Sequence, residues 1–500
     1  MESSNPRVDR PDNLRVALIS ISHCPSLATR NLRRYCLAHD DVRSRVEFVL
    51  IDRDLREFLR VQASNTRRMS FVTAADEILV SLLSREPAIV AFSCYLWNTD
   101  LSIRLATQIK ALLPRTQIVL GGPDVGPRAE ALLERHPELD VIVDEDGEVP
   151  FLELVRRHLA GAPTALADVP QVIYRDHGAV VRSVVPRPNT DLSRLRDVWA
   201  EDLPTADELS RWGFPTLLYE TMRGCPYSCS YCMSGRIPTN RKDGDTVIEE
   251  LAVLLGRGVS VELIDPTFTT YASRAKAILR GLAGRAYSGR LWFEAYPDSI
   301  DEELVDLMKR TNVFEVGIGF QTLSADGLKA VKRPRNLVRF ERAVRLLRTA
   351  GIPYWVDVIY GLPNTTADDF VATMDYLHNL GATRFDIYRL LGLPGSPMMR
   401  NAGTYGLVFS SSPPYELLSS RTFSIEDIVF CDRFTTTFDY LRRQMSAELF
   451  DRLGRLAGGL SALVQLVMDS GVVLEPQNTD VLRGVLAGLM TRDRSPVSDA

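Results

Sequence analysis

The chain has 500 residues, of which 45% are hydrophobic and 25% charged, and a formal net charge of −5. This is the make-up of a soluble globular protein of more than one domain, and it argues against a chain held to nucleic acid or an anionic membrane by its global charge. No window approaches the roughly 18 apolar residues of a membrane span, and residues 1–13, with Arg7, Asp9, Arg10 and Asp12, lack the apolar core of a secretory signal.

Residues 1–13 read as a disordered N-terminus. Short apolar runs then alternate with helical stretches: Leu14–Ser22, Val46–Ile51, Ala88–Ser93, Gln117–Leu120 and Val141–Val143 read as buried parallel strands, closed by a helix near Phe151–Leu159. The pattern predicts an α/β fold, with a doubly wound, Rossmann-like domain over 14–160. Residues 161–210 break the rhythm: a hairpin around Asp176-His177-Gly178, then a linker marked by Pro186, Pro188 and Pro204. From 211 to 400 six strand–helix units follow, with strands at Leu217–Glu220, Val261–Ile264, Leu291–Ala295, Phe314–Gly319, Tyr354–Ile359 and Phe385–Leu390. Six units make a partial (βα)₆ barrel rather than a full eight. Residues 401–500 read as a mostly helical C-terminal domain that closes a substrate pocket.

Seven cysteines are present, four scattered singly and three crowded into Cys225-Pro-Tyr-Ser-Cys229-Ser-Tyr-Cys232, directly after the first barrel strand. Thiolates are soft donors for zinc or iron–sulfur. A structural zinc wants four protein ligands, and no fourth Cys or nearby His follows. The spacing C-x-x-x-C-x-x-C, with an aromatic before the last Cys, resembles the radical S-adenosylmethionine (SAM) superfamily closely. The resemblance implies a [4Fe-4S] cluster on Cys225, Cys229 and Cys232, whose open iron takes SAM. It further implies SAM contacts from Tyr231; from Asp265, standing where the family usually has Gly-Gly-Glu; from Glu294; from Gln321, at the exit of Glu315-Val-Gly317-Ile-Gly319-Phe-Gln321; and from Asp357, ahead of Gly361-Leu-Pro363. All of these fall at carboxyl ends of strands, where barrel sites lie.

In the first domain three strand ends stand out: Ser93-Cys-Tyr95-Leu96-Trp97-Asn98, Gly121-Gly122-Pro123, and Glu145-Asp-Gly147-Glu148. Glycines there let the backbone approach a large flat ligand, and the Tyr-Leu-Trp loop offers apolar contact. Placed upstream of a radical SAM barrel, this set is similar to the cobalamin-binding class, which makes Tyr95, Leu96, Trp97, Asn98, Gly121, Gly122, Pro123, Glu145, Gly147 and Glu148 candidate cobalamin contacts. The D-x-H-x-x-G motif that ligates cobalt in other cobalamin proteins is absent, as in many members of this class.

The resemblance implies a cobalamin-dependent radical SAM methyltransferase that moves a methyl group from SAM, by way of cobalt, to a carbon of a small molecule, an amino acid such as tryptophan, or a peptide. An external one-electron reductant is then required. A cyclase or ring-rearranging enzyme is the alternative of the same class, and a cobalamin sensor or carrier with a vestigial cluster the alternative of another. No basic stripe or RNA-binding module points to nucleic acid, no membrane partner is expected, and the cytoplasm is the expected compartment. The sequence singles out no catalytic acid or base.

Overall fold

The computed structural model describes residues 13–59, 69–213, 216–382 and 384–471. Nearly all of the N-terminus read as disordered (1–12) and the end of the C-terminal helical region (472–500) lie outside the described residues. The chain divides into two compact units. Residues 1–223, 237–264 and 284–291 form the first, and residues 224–236, 265–283 and 292–500 the second.

The first unit holds the strands β1 (Leu14–Ser22), β2 (Val46–Asp54), β3 (Ile89–Ser93), β4 (Gln117–Gly121) and β5 (Val141–Val143), all parallel. The run LRVALISIS makes a strand buried from Val16 to Ile21, because helices cover both faces of the sheet. Ala17, Ile19, Ile21, Phe92, Ile118 and Leu120 point into one apolar core. Val16, Leu18 and Ser20 therefore face the other side.

β6 (Val172–Asp176) and β7 (Ala179–Arg182) continue the same sheet antiparallel, giving the order β2-β1-β3-β4-β5-β6-β7. The hairpin predicted between domains is thus the edge of the N-terminal sheet. The physical reason is β5: three residues long, it would leave an open edge, and Val172, Ile173 and Tyr174 bury against it. The chain leaves β1 toward β2 on one side and β3 on the other. The carboxyl ends of β1 and β3 therefore flank the switch point where open α/β sheets bind ligands.

A short antiparallel pair, β9 (Met222–Arg223) with β10 (Asn240–Arg241), follows β8 (Thr216–Tyr219). With β11 (Ser260–Leu263), β12 (Leu291–Ala295), β13 (Val313–Gln321), β14 (Tyr354–Tyr360) and β15 (Phe385–Arg389), β8 makes a six-stranded sheet in the order β8-β11-β12-β13-β14-β15. That is the sequential order of the expected half-barrel. The division into units does not follow the predicted boundary at 211, since β8 and β11 belong to the first unit. The linker explains this. Trp199 Nε1 donates to Leu218 O at 3.0 Å, Lys242 Nζ to Leu195 O at 3.0 Å, and Asp197 N to Glu250 at 2.6 Å, which sews residues 195–199 onto β8 and the helix Gly244–Gly256.

Beyond β15 the second unit carries a small antiparallel pair, β16 (Val408–Phe409) and β17 (Leu417–Ser419), and the helices Ile425–Gln444, Ala447–Ala457 and Leu460–Asp469. Phe434 and Phe438 bury fully from the first of these helices, and Asp432 accepts the Tyr360 hydroxyl from β14. No described helix is long and apolar enough to cross a membrane.

Candidate functional site

The cysteine loop belongs to the second unit. Cys225 N donates to Ser234 O at 3.1 Å and Cys232 N to Cys229 O at 3.1 Å, so the loop folds back on itself. Gly235 makes this possible: a Cβ there would lie 2.4 Å from Tyr227 O. The loop is pinned through Ser230, whose N donates to Val331 O at 3.0 Å and whose O accepts from Met398 N at 2.8 Å. Tyr227 stacks on Tyr296 with ring centroids 4.5 Å apart. All three thiols are half-buried and unbridged. Burial raises the Cys225 thiol above its usual range, and Cys232 and Cys229 add to the rise, so the three sulfurs sense one another. Among the described residues no three His, Cys, Asp or Glu side chains converge on one single-ion site.

Next to the loop, through Tyr296 and Arg333, lie the ends of β12 and β13, and β14 and β15 follow in the sheet. Gly319, Asp357 and Asp386 occupy one register row. Gly317 has to be glycine, because a Cβ would sit 2.2 Å from the Trp355 ring; the same indole donates to Asp357 at 3.1 Å. Arg333 reaches over the row, donating to Gly319 O at 2.7 Å and to the Tyr231 hydroxyl at 3.3 Å, beside Cys229. Glu294 is exposed, yet protein surrounds its carboxyl closely enough to desolvate it. Burial and then Asp357 push its carboxyl up to about 8, against the pull of Arg333. Burial and Asp386 push Asp357 up to about 6, and burial raises Asp386 as well. Glu294 and Asp357 share the one guanidinium of Arg333, while Asp386 answers to Arg384 and Arg442, and this surplus of carboxylate beside Arg333 suits a cationic ligand.

Three buried polar atoms here have no hydrogen-bond partner: Gln321 Oε1, Thr267 Oγ1 and Ser230 Oγ. Their residues are 6%, 7% and 8% exposed. Gln321 sits after a register shift in β13 and at a positive φ of 74°, a backbone arrangement that is costly for a non-glycine residue. Orphaned buried groups of this kind normally find a partner in water or a ligand. Asp265 is buried, 2% exposed, just past β11.

In the first unit the switch-point edge carries a row of small residues. Ser20, Ser93 and Gly121 lie in register across β1, β3 and β4, flanked by Asp52 and Val143. Ser20 Oγ is buried without a partner. At Gly121 a Cβ would meet only Val143 Cβ, at an ordinary 3.8 Å. Among the described residues nothing close to its Cα requires glycine, which leaves room there for a ligand. Gly122 differs: its φ is +128° and a Cβ would lie 2.1 Å from Cys94 O. Tyr95 and Trp97 stack in parallel at 4.6 Å, with Trp97 42% exposed, Leu96 beside them half-buried and Pro123 exposed.

Several expected contacts have other work. Asn98 is fully buried, donates to Ile21 O (2.8 Å) and Ser93 O (2.9 Å), and accepts from Tyr95 N (2.7 Å), so it clamps β1, β3 and the aromatic loop together. Glu145 and Asp146 pair with Arg187 at 2.6 and 2.7 Å. Glu148, in the first turn of the helix Glu148–Leu159, pairs with Arg223 at 2.6 Å. Gly147 caps that helix, where a Cβ would approach Leu32 to 3.1 Å. Arg187, Arg223 and Arg333 carried no sequence signal, since each reads as surface charge. Ser20 was more visible, as a polar residue near the end of an apolar run.

Residues 219–377 match the family model of the radical SAM superfamily, and residues 55–155 that of the B12 binding domain. The chain thus carries one segment similar to radical SAM proteins and, ahead of it, one similar to B12-binding domains. It is 29% identical over 335 residues to the cobalamin-dependent radical SAM methyltransferase TokK of Streptomyces tokunonensis, an alignment covering 63% of this chain and 48% of that protein. The chain thus spans about half the length of the curated relatives it matches. Its fold resembles that of the radical SAM methyltransferase TsrM from Kitasatospora setae, solved with cobalamin and a [4Fe-4S] cluster (TM-score 0.62, 22% identity, 81% of this chain and 78% of that one). It also resembles OxsB, a cobalamin-dependent SAM radical enzyme solved with aqua-cobalamin and SAM (TM-score 0.68, 17% identity, 95% and 75%).

A radical SAM segment implies a [4Fe-4S] cluster and SAM, and a B12-binding segment implies cobalamin; the residues present fit all three. Three thiols in one loop are the donor set of an iron–sulfur corner rather than of a closed zinc site. The carboxylate row and the orphaned Gln321, Thr267 and Ser230 atoms suit a cationic, polar ligand such as SAM. The room at Gly121 and the lone Ser20 hydroxyl suit a large ligand at the switch point.

Proposed function

We propose that this chain is a C-methyltransferase that moves a methyl group from SAM, through cobalamin, to a carbon of a small molecule, an amino acid or a peptide. The observation that carries the reading is the pairing, in one chain, of the three-thiol loop with the switch-point row of small residues at Ser20, Ser93 and Gly121. Its likeness to TokK, a named methyltransferase, supports the same reading, and TsrM has been solved with tryptophan as substrate.

Bound together, the cofactors supply one-electron cleavage of a sulfonium and a transferable methyl group. The protein's part is binding, orientation and electrostatics. Cys225, Cys229 and Cys232 would hold the cluster, with Arg333 as a fixed positive charge beside Cys229. Glu294 and Asp357 would balance the charge of SAM, and Gln321 would satisfy its polar edge. Ser20, Ser93 and Gly121 would seat cobalamin, with the Tyr95–Trp97 pair as an apolar wall.

The test is anaerobic reconstitution with iron, sulfide and hydroxocobalamin, followed by incubation with methyl-deuterated SAM and candidate acceptors, tryptophan first. About four irons and one cobalt per chain, with the label on product carbon, are the expected result. Reductive cleavage of SAM with no labelled methyl group in any acceptor, across a broad acceptor panel, would overturn the proposal.

A further inference from the structure

We infer that the face formed by the helix Leu337–Ala350 and the turn before it is the docking surface for an acidic one-electron carrier protein that reduces the cluster. The inference rests on the proposed radical chemistry, which consumes an electron from outside. The sequence reading found no basic stripe; folding makes one. Between Lys329 and Arg348 the chain has eight Lys or Arg and one acid, Glu341, in a protein whose net charge is −5. Glu341 is occupied by the Tyr376 hydroxyl at 2.7 Å.

Helical spacing puts residues 338, 342 and 345 on one stripe, and Lys332 and Arg335 precede it on the turn. Lys332, Arg335 and Arg345 are exposed and make no salt bridge with a carboxylate, while Arg342 pairs with Glu302 at 2.6 Å on the open surface. In the middle stands Val338, 77% exposed. Arg339, beside it, reaches Asp298 at 3.7 Å. An apolar residue among exposed cations, three of them without a carboxylate partner, is the make-up of a protein-binding patch with a polar rim, more than of a merely solvated face.

The position of the patch selects the partner. Val331, next to Lys332, accepts the Ser230 N–H at 3.0 Å, and Ser230 is bonded directly to Cys229. Arg333 joins the same turn to Tyr231 and Cys229. A single hydrogen bond therefore links the backbone of the basic turn to the backbone of a cluster ligand. Electrons passed there enter the cluster by a short bonded path. The step balances simply: the reduced carrier loses one electron, the oxidised cluster gains it, and no proton or group moves. A negatively charged carrier would be steered to this face.

The experiment uses the reconstituted full chain and the triple variant Lys332→Glu/Arg335→Glu/Arg345→Glu, with stopped-flow loss of the cluster's visible absorbance as readout. Reductants are reduced flavodoxin, reduced ferredoxin and the methyl viologen radical cation. For the parent, reduction by at least one carrier protein should be fast at low salt and slow steeply with ionic strength. The variant should lose roughly ten-fold or more of that rate, with viologen reduction undiminished. Equal rates in parent and variant, or a parent that viologen reduces and neither carrier does, would overturn the inference. So would tRNA binding by the parent that the variant loses while its carrier rate is kept, since the face would then serve RNA. Viologen-reduced enzyme that transfers no methyl group counts against the proposed function alone.

Discussion

Arg223 is the cation that neutralises a buried group of carboxylates in the first unit. Its side chain is 11% exposed and bonds Glu148 through two nitrogens at 2.6 and 2.8 Å, with Glu148 5% exposed. It also bonds Glu220, 13% exposed, at 2.8 and 3.0 Å. Replacing it with methionine keeps most of the volume and leaves two buried carboxylates without their cation. Stranding one partner of a buried pair costs about 3–5 kcal/mol, a large share of the roughly 5–15 kcal/mol that holds a domain folded. For a unit of this size that is a fall of roughly 6–20 °C in Tm. The pH dependence changes sign too. In the parent, burial works against the charged form, but Arg223 holds the Glu148 carboxyl below its ordinary value. Glu148 therefore stabilises the parent above the unfolded-state value near 4.3, and that stability is lost as pH falls through the lower folded value. Without Arg223, burial alone raises Glu148, so the variant should gain stability as pH is lowered from 7 toward 5. Calorimetry of Arg223→Met between pH 5 and 8, with Arg223→Met/Glu148→Gln as a partial rescue, checks both claims. A Tm within 2 °C of the parent, with an unchanged pH profile, would refute the account of this ion pair.

Cys225→Ala should bind far less iron and show no reductive SAM cleavage, while circular dichroism stays close to the parent; an iron-replete, active variant would remove the cluster assignment. Glu294, pushed up to about 8 by burial and Asp357, loses its proton as pH rises, and only the ionised form attracts a cation. SAM affinity, read by calorimetry, should therefore strengthen between pH 7 and 9, and Glu294→Gln should bind SAM roughly ten-fold more weakly at pH 9, the ~1.5 kcal/mol of a charge-assisted contact, with that rise gone. Gly121→Leu projects a bulky side chain from a position where the Cβ itself meets only Val143 Cβ, at an ordinary 3.8 Å. It should fold and load iron like the parent while taking up much less cobalt on reconstitution, and parental cobalt content would move cobalamin elsewhere.

The parts of this molecule that could be read from sequence are those whose cause is local. The strands show as apolar runs because parallel strands are buried on both faces, and the cysteine loop shows because thiols three and four positions apart in one loop can face one centre. The carboxyl-end glycines show because backbone near a ligand needs room. Residues whose role depends on a distant partner do not show. Glu148 looked like a ligand contact at a strand end and is instead neutralised by Arg223, 75 residues away. Asn98 sat in the right motif, but both its donors and one acceptor position go to the backbone of β1, β3 and its own loop.

Arg333 is the sharpest case, hidden in a run, VKRPR, that reads as surface charge. The turn sends its neighbours Lys332 and Arg335 outward and Arg333 inward, to Tyr231 and Gly319 O. That division follows from the fold, because Lys332 holds a positive φ of 56° and breaks the alternation a strand or helix would impose. One short segment thereby sets a fixed positive charge beside Cys229 and presents free positive charge to solvent. If electrons enter here, the inward arginine and the outward cations act on the same reduction in separable ways. Removing the outward charges should change how fast a carrier protein delivers the electron, whereas removing Arg333 should change the potential at which the cluster accepts it.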